Sequence, residues 1–468
     1  MTGVDTYRKL YPMLLVVIIT IAIVLIPATG VAAKISVIPG QNISSIIHSA
    51  AAGDTVWLAE GEYLQQIIVD VPVVLTGENL PYIRGGYEGH VVQVSAPGAI
   101  VDGLHISEAG ERLTKDFAAV LVEADSVTIR NCLITRPLHG IYVKGGSYTV
   151  IENNRIEGRL DLIEADRGNG IHLWYSKRNE VNHNEILNVR DGIYFSFTDS
   201  TNIRFNSIHH VRYGLHYMYS DYNLFEDNTF ILNVAGAALM YSSNIMFRRN
   251  IFAHCRGFRA YGILYQSMDS TFAYDNLIYD NSRGIFINNS SSNHIANNDV
   301  FDNDLAIQMN GGSERNVFEE NNFVNNLSEL LLDVTDRETA WSGQERGNHW
   351  SSYTGYDLDG DGIGDVPFDI QNVFQVMEGS VPEVRFYLLS PAAAILEIAE
   401  RTMPILKFGG AVDDKPIIRP VENSDVPWDS LDELGEGDRS AAILYTVITI
   451  GLFGALLRMG RLKGKRKW

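Results

Sequence analysis

Residues 184–240 read NEILNVRDGIYFSFTDSTNIRFNSIHHVRYGLHYMYSDYNLFEDNTFILNVAGAALM, and two residue columns recur in them every 22 positions. In the first, a Gly is followed by an apolar residue, any residue and another apolar residue, at Gly192, Gly214 and Gly236. Traced outward, the column runs through Gly140, Gly170, Gly262 and Gly284, with Ala306 once in the Gly place, in steps of 30, 22, 22, 22, 26, 22 and 22. In the second, Asn, any residue and an apolar residue recur at Asn131, Asn154, Asn184, Asn206, Asn228, Asn250, Asn276, Asn298 and Asn321. Both columns carry the same insertions. A unit of 22 residues is too short for a helix pair but fits three short strands and three turns. The spacing therefore predicts an all-β protein, a right-handed parallel β-helix in which each unit is one coil. Asn tolerates the left-handed backbone of a tight turn and its amide can bond to the Asn one coil away, so the second column is expected to form a structural ladder. Before the clear repeats, residues 53–58 and 73–77 read as irregular early coils, and 43–51 as a short helix capping the open end.

The chain has 468 residues, 46% hydrophobic and 20% charged, which excludes disorder. Its 37 Lys and Arg against 57 Asp and Glu give a net charge of −20, which argues against a nucleic-acid partner. Cys132 and Cys255 are too few for a disulfide framework or a Cys-based zinc site, and the register places them too far apart to be bridged. Residues 1–33 contain an uncharged apolar run after Arg8 and Lys9 and then small residues, as in a signal peptide or an N-terminal anchor. Residues 441–457 form an uncharged stretch near the lower limit for a transmembrane helix, and the basic tail 458–468 assigns its far side to the cytoplasm. Both ends thus place the middle outside the cytoplasmic membrane. The expected organisation is leader 1–33, β-helix 34–346, capping region 347–420, acidic linker 421–440, membrane helix 441–457 and tail 458–468.

Within the capping region, Asp357, Asp359, Asp361, the backbone carbonyl of Ile363 and Asp365 stand at positions 1, 3, 5, 7 and 9 of a calcium-type loop, with Gly362 at position 6. Position 12 is Phe368 instead of the usual bidentate Glu. Ser390 and Pro391 then make a good helix start, and Ile395 and Leu396 give that helix an apolar face suited to docking.

Following such columns, the segment Gly347–Phe368, GNHWSSYTGYDLDGDGIGDVPF, resembles the NosD family, and the resemblance extends over about residues 35–420. It implies an extracytoplasmic accessory protein of nitrous oxide reductase maturation. Such a protein works with a NosF-type ATPase, a NosY-type permease and a copper chaperone to supply copper or sulfur for the reductase's copper-sulfide centre. The hydrophobic stretch 441–457 is an addition to the family's pattern.

Copper, if carried, needs ligands on the outside of the coils. After each Gly the first and third residues point inward, so the second and fourth share an outer face: Tyr142 and Lys144, His172 and Trp174, Tyr194 and Ser196, His216 and Met218, Ala238 and Met240, Leu264 and Gln266. Neighbouring coils lie about 4.8 Å apart, which sets Met218 beside Met240, with His216 about 6.5–7 Å from Met218 along its strand. Imidazole and thioether suit a transient cuprous ion. His172, two coils from His216, is a candidate second station. His209 and His210 are candidate added ligands, and His254 with Cys255 and Met246 is a weaker alternative. The competing reading of the same aromatic patch, Trp174 and Tyr194 included, is contact with a partner.

The rival from another class is a polysaccharide lyase, hydrolase or epimerase using Asp191, Asp199 and Asp221 with Tyr194. Acid–base chemistry on a sugar needs paired carboxylates on one outer strand, and the outer positions above hold none. The Asp-Pro-His-Asp of mannuronan epimerases and the Asn-Thr-Asp of polygalacturonases are also absent. A structural or adhesive repeat protein is the third possibility.

Overall fold

The computed structural model describes residues 32–333, 338–371 and 411–422, with isolated positions at 384, 387, 390, 391 and 395. Most of the leader, most of the acidic linker, the 441–457 stretch and the basic tail lie outside the described residues. Among those described, no helix is long and apolar enough to cross a membrane.

Each coil contributes one strand to each of three parallel sheets, of 13, 13 and 12 strands among the described residues. In one coil Asn202–Arg204 lies on the first face, Ser207–His209 on the second and Tyr213–Met218 on the third. Consecutive coils stay in register, so Ile203 pairs with Phe225 and Leu215 with Ala237. Inward residues therefore stack on the inward residues of the next coil. Phe225 lies on Phe247 at 4.7 Å and Phe230 on Phe252 at 5.1 Å, both pairs nearly parallel and fully buried. One coil cannot bury these rings alone, and stacking makes a continuous core.

The corner between the first and second faces carries the Asn ladder. The side-chain oxygen of Asn228 accepts from the backbone and side-chain nitrogens of Asn206, at 3.0 and 2.9 Å. The pattern repeats from Asn154 to Asn348. Two details differ from expectation. The ladder residues are not the left-handed ones; the residue before each is, as at His183, Phe205, Asp227 and Arg249, with φ of 52–56°. Asn is selected because a buried amide both donates and accepts along the stack. Asn131 is also one place out of register: it is itself left-handed, and Cys132 occupies the ladder position, its N–H donating to Asn154. Cys255 lies in the next corner, where its N–H donates to Asn281. Both cysteines are buried and free.

The first end is closed by the helix Ile43–Ser49, capped by the Asn42 side chain, which accepts from Ser45 N at 2.8 Å. Ile43 and Ile47 cover the core. At the far end His349–Trp350 extends the second sheet, and Trp350 stacks on Phe323 at 4.3 Å. Asp413, fully buried, terminates the ladder: its carboxylate accepts from Asn348 N at 2.7 Å, Trp350 Nε1 at 2.9 Å and Lys415 N at 3.0 Å.

Candidate functional site

The Gly column shapes the third face. A Cβ at Gly192 would stand 2.4 Å from Ile208 Cγ2 and 2.6 Å from the Gly214 carbonyl, so no larger residue fits beneath the next coil. Because the missing Cβ points at the core, two successive positions face inward there, and the residue before each Gly emerges on the outer face. Ala235 and Tyr261 accordingly pack with Ala238 and Leu264 in a cluster outside the main core.

The second and fourth residues after each Gly align as their spacing predicts. Tyr142, His172, Tyr194 and His216 pair in consecutive register. Their rings follow one another at centroid distances of 4.4, 4.6 and 4.9 Å. Beside them Lys144, Trp174, Ser196, Met218, Met240 and Gln266 form the parallel column, with Met218 directly opposite Met240. The ring of Tyr194 lies between His172 and His216, so these two histidines cannot share an ion.

His216 is held by a pair invisible to the outer-position count. Its Nδ1 lies 2.9 Å from Asp191 Oδ2, and Arg212 grips the same carboxylate through Nε at 2.9 Å and Nη2 at 2.7 Å. Burial works against charge on Asp191, yet His216 and Arg212 hold its carboxyl below the ordinary carboxylate range. An ionised Asp191 can only accept, so Nδ1 of His216 carries a proton, and in the neutral ring Nε2 is the nitrogen with the lone pair. Nε2 has no hydrogen-bond partner among the described residues. A carboxylate fixing the far nitrogen of a histidine is the usual support behind a metal-ligating imidazole.

Toward the first end the same face deepens into a groove of about 470 Å³, walled by Tyr142, His172, Trp174 and Tyr194 and overhung by Lys115 and Asp116. Burial, followed by the neighbouring His139, pushes His172 down to about 3, so its ring is neutral. Its Nδ1 is buried without a partner.

Several candidates are drawn apart. His209 ends a second-face strand, where its Nδ1 bonds to His210 and its Nε2 lies 3.5 Å from Glu185, so neither histidine joins the His216 group. Cys255 is fully buried with its thiol pushed up to about 12, and His254 Nδ1 is committed to Asp280 at 2.7 Å; that set lacks a thiolate. Asp199 accepts from Asp221 N, and Asp221 from Ser243 N, so both serve a turn and do not pair with Asp191 as acid and base. Pro391 and Ile395 are helical and Ile395 is exposed, while Leu396 lies outside the described residues. Ser390 N bonds to the Tyr387 carbonyl.

In the calcium-type loop the carboxylates of Asp357, Asp359 and Asp361 converge within 4.8 Å of one another. Asp365 instead accepts from Leu358 N at 2.7 Å, and Ile363 bridges to Ile417, which ties the loop to the 411–422 strap.

Arg212, His90, His139, Lys115 and Asp116 were outside the sequence-based candidates, and Asp191 entered only as a carboxylate of the rival sugar-active reading. Asp191 was recognisable on this face only through its place immediately before Gly192. The loop residues have no period to reveal them.

A sequence profile of a family described as periplasmic copper-binding protein (NosD) matches residues 153–355. A protein of Stutzerimonas stutzeri named probable ABC transporter binding protein NosD is 34% identical over 78% of this chain and 87% of its own length. Its namesake from Pseudomonas aeruginosa is 37% identical over 79% and 89%. Among solved structures, a PL6 alginate lyase in complex with a trisaccharide aligns with a TM-score of 0.52 at 12% identity, over 68% of this chain and 85% of that one. The likeness to the lyase is one of fold.

Proposed function

The chain belongs to the NosD family, and from that premise we propose that it works outside the cytoplasmic membrane, binding a cuprous ion transiently and passing it on in company with an ABC transporter. The family's description as periplasmic and copper-binding and the relatives' name support this reading. The finer form assigns the transporter as a NosF-type ATPase with a NosY-type permease, a copper chaperone as source and nitrous oxide reductase as recipient. Trp174, Tyr194 and the helix from Ser390 are the surfaces offered to these partners. The Asp357–Asp365 loop is proposed as a calcium-type site that pins the closing end.

The observation that carries the copper assignment is the junction of two arrangements. His216 presents Nε2 because Asp191 and Arg212 fix its other nitrogen. Two strand positions away, Met218 lies opposite Met240, so two thioethers stand side by side at the coil spacing. One imidazole and two thioethers form a soft donor set suited to Cu(I). An outer-face site of three neutral ligands binds loosely enough to release the ion.

The double change Met218→Leu and Met240→Leu keeps the apolar volume and removes both sulfurs. Cuprous affinity, measured by competition with a chromogenic chelator, is expected to fall at least tenfold with the circular dichroism unchanged. Affinity equal to the parent's would remove the site from this face.

A further inference from the structure

The groove beside His172 is walled in part by loops. All its neighbouring loops leave the stack at one corner, between the second and third faces. The segment between Tyr82–Arg84 and Val92–Val94 supplies His90, and the one between His105–Ser107 and Ala118–Val122 supplies Lys115 and Asp116.

The hydrogen bonds of the histidines set their chemistry. His90 Nδ1 accepts from Ala118 N at 3.1 Å and His139 Nδ1 accepts from Asn169 N at 3.0 Å. A backbone N–H can only donate, so both rings carry their proton on Nε2 when neutral and present an N–H there. Burial pushes His90 below its ordinary range, which keeps it neutral. His139 turns its Nε2 toward Asp116 at 3.7 Å, and with Nδ1 of His172 buried, Nε2 is that ring's nitrogen left for a ligand.

The groove lining thus offers two ammonium groups, Lys115 and Lys144, the His90 N–H and the Tyr142 hydroxyl, against the single carboxylate of Asp116. Lys144 is steered by Glu123, outside the lining, at 3.7 Å. In a chain of net charge −20, a groove richer in cations and donors than in acceptors runs against the general surface. Its walls are flat: Trp174 packs against the cluster of Ala118, Leu121 and Tyr142, and Tyr142 stacks on His172. The volume of about 470 Å³ falls within the range of small-molecule sites, about 300–1,000 Å³.

We propose that this groove binds a small carboxylate carried on a six-membered ring, the carboxylate held by Lys115, Lys144 and His90 and the ring face by Trp174. The ring belongs either to an acidic sugar or to an aromatic acid. The site is independent of the copper reading, since neither Met218 nor Met240 lines it.

The test uses the full chain with D-galacturonate and benzoate as probes, D-galactose and benzamide as neutral controls, and tryptophan fluorescence and calorimetry as readouts. One of the two acids is expected to bind, and which one identifies the source of the ring. The double change Lys115→Gln and Lys144→Gln, at unchanged circular dichroism, is expected to weaken it at least tenfold. The change Met218→Leu with Met240→Leu should leave acid binding as in the parent, which separates this site from the copper site. Three outcomes overturn the proposal: no binding of either acid at millimolar concentration, neutral controls that bind as well as the acids, or an undiminished double Lys variant.

Discussion

Asn206 sits wholly inside the stack with every amide atom engaged. Its Nδ2 shares two N–H bonds among Asn228 Oδ1, the Val181 carbonyl at 2.8 Å and the Arg204 carbonyl at 3.0 Å, while its Oδ1 accepts two bonds from Asn184. Asn206→Ala leaves several buried groups without partners, each costing about 1–3 kcal/mol. Urea unfolding of that variant should show a loss well above 2 kcal/mol, and a loss under 0.5 kcal/mol would deny the ladder its structural weight. Glu329 is the opposite case: one carboxyl oxygen accepts from Ser352 Oγ at 3.1 Å and the other is buried without a partner. Burial pushes its carboxyl up to about 8. Folded Glu329 therefore holds its proton where the unfolded chain, titrating near 4.3, has lost it. Its contribution is fully present below about pH 4.3 and is lost as pH rises toward 8. Glu329→Gln should flatten that part of the stability–pH curve by about 2 kcal/mol or more, and parallel curves for the two proteins would refute the assignment. At this scale the columns were legible because a repeat multiplies each signal. The error at Asn131 arose because Asn131-Cys132-Leu133 fits the three-residue pattern one place early while the ladder position itself holds Cys132, and only strand pairing shows the offset.

Strands, corners and loops divide the work. The three faces hold the period, and the insertions that break it at residues 158–168 and 256–260 leave by the corner that flanks the third face, as does the loop 108–117. That corner walls the site while the strands supply its floor. The floor could be read from alternation, and Met218 lies opposite Met240 on it. The walls could not, because an aperiodic loop gives no clue to the coil on which it folds back, and the Asp191–His216 pair depends on a bend that strict alternation does not contain. The acidic loop is a separate element. Asp357 already accepts from Gly360 N and Gly362 N, so the turn stands without a cation, while Asp359 makes one longer bond, to Asp361 N at 3.3 Å. If calcium fills the loop, Asp359→Ala lowers the melting temperature in calcium and leaves it unchanged in chelator. Identical melting of both proteins in both buffers would leave a plain acidic turn.

A stack in which each coil touches only its neighbours unfolds from its ends, so its stability is governed by the caps. Asp413 joins the last ladder rung, Trp350 and Lys415 across more than sixty residues of sequence. Asp413→Ala should therefore raise hydrogen exchange in the final coils, residues 317–350, while coils near Ile203 keep their protection. A uniform rise along the chain would mean that the solenoid is a single cooperative unit. The global architecture was legible because a fixed period admits few folds, whereas the strap 411–422 has no period and its role as a lid emerges only from contacts. The uniform register has one more consequence, for how such a molecule can be lengthened. Inserting or deleting one whole coil, 22 residues between equivalent positions, would slide the His216 group relative to the closing end by one increment of about 4.8 Å without rotating it. The solenoid is thus a graduated ruler: the separation between a donor set on the third face and whatever grips the far end can change only in whole graduations.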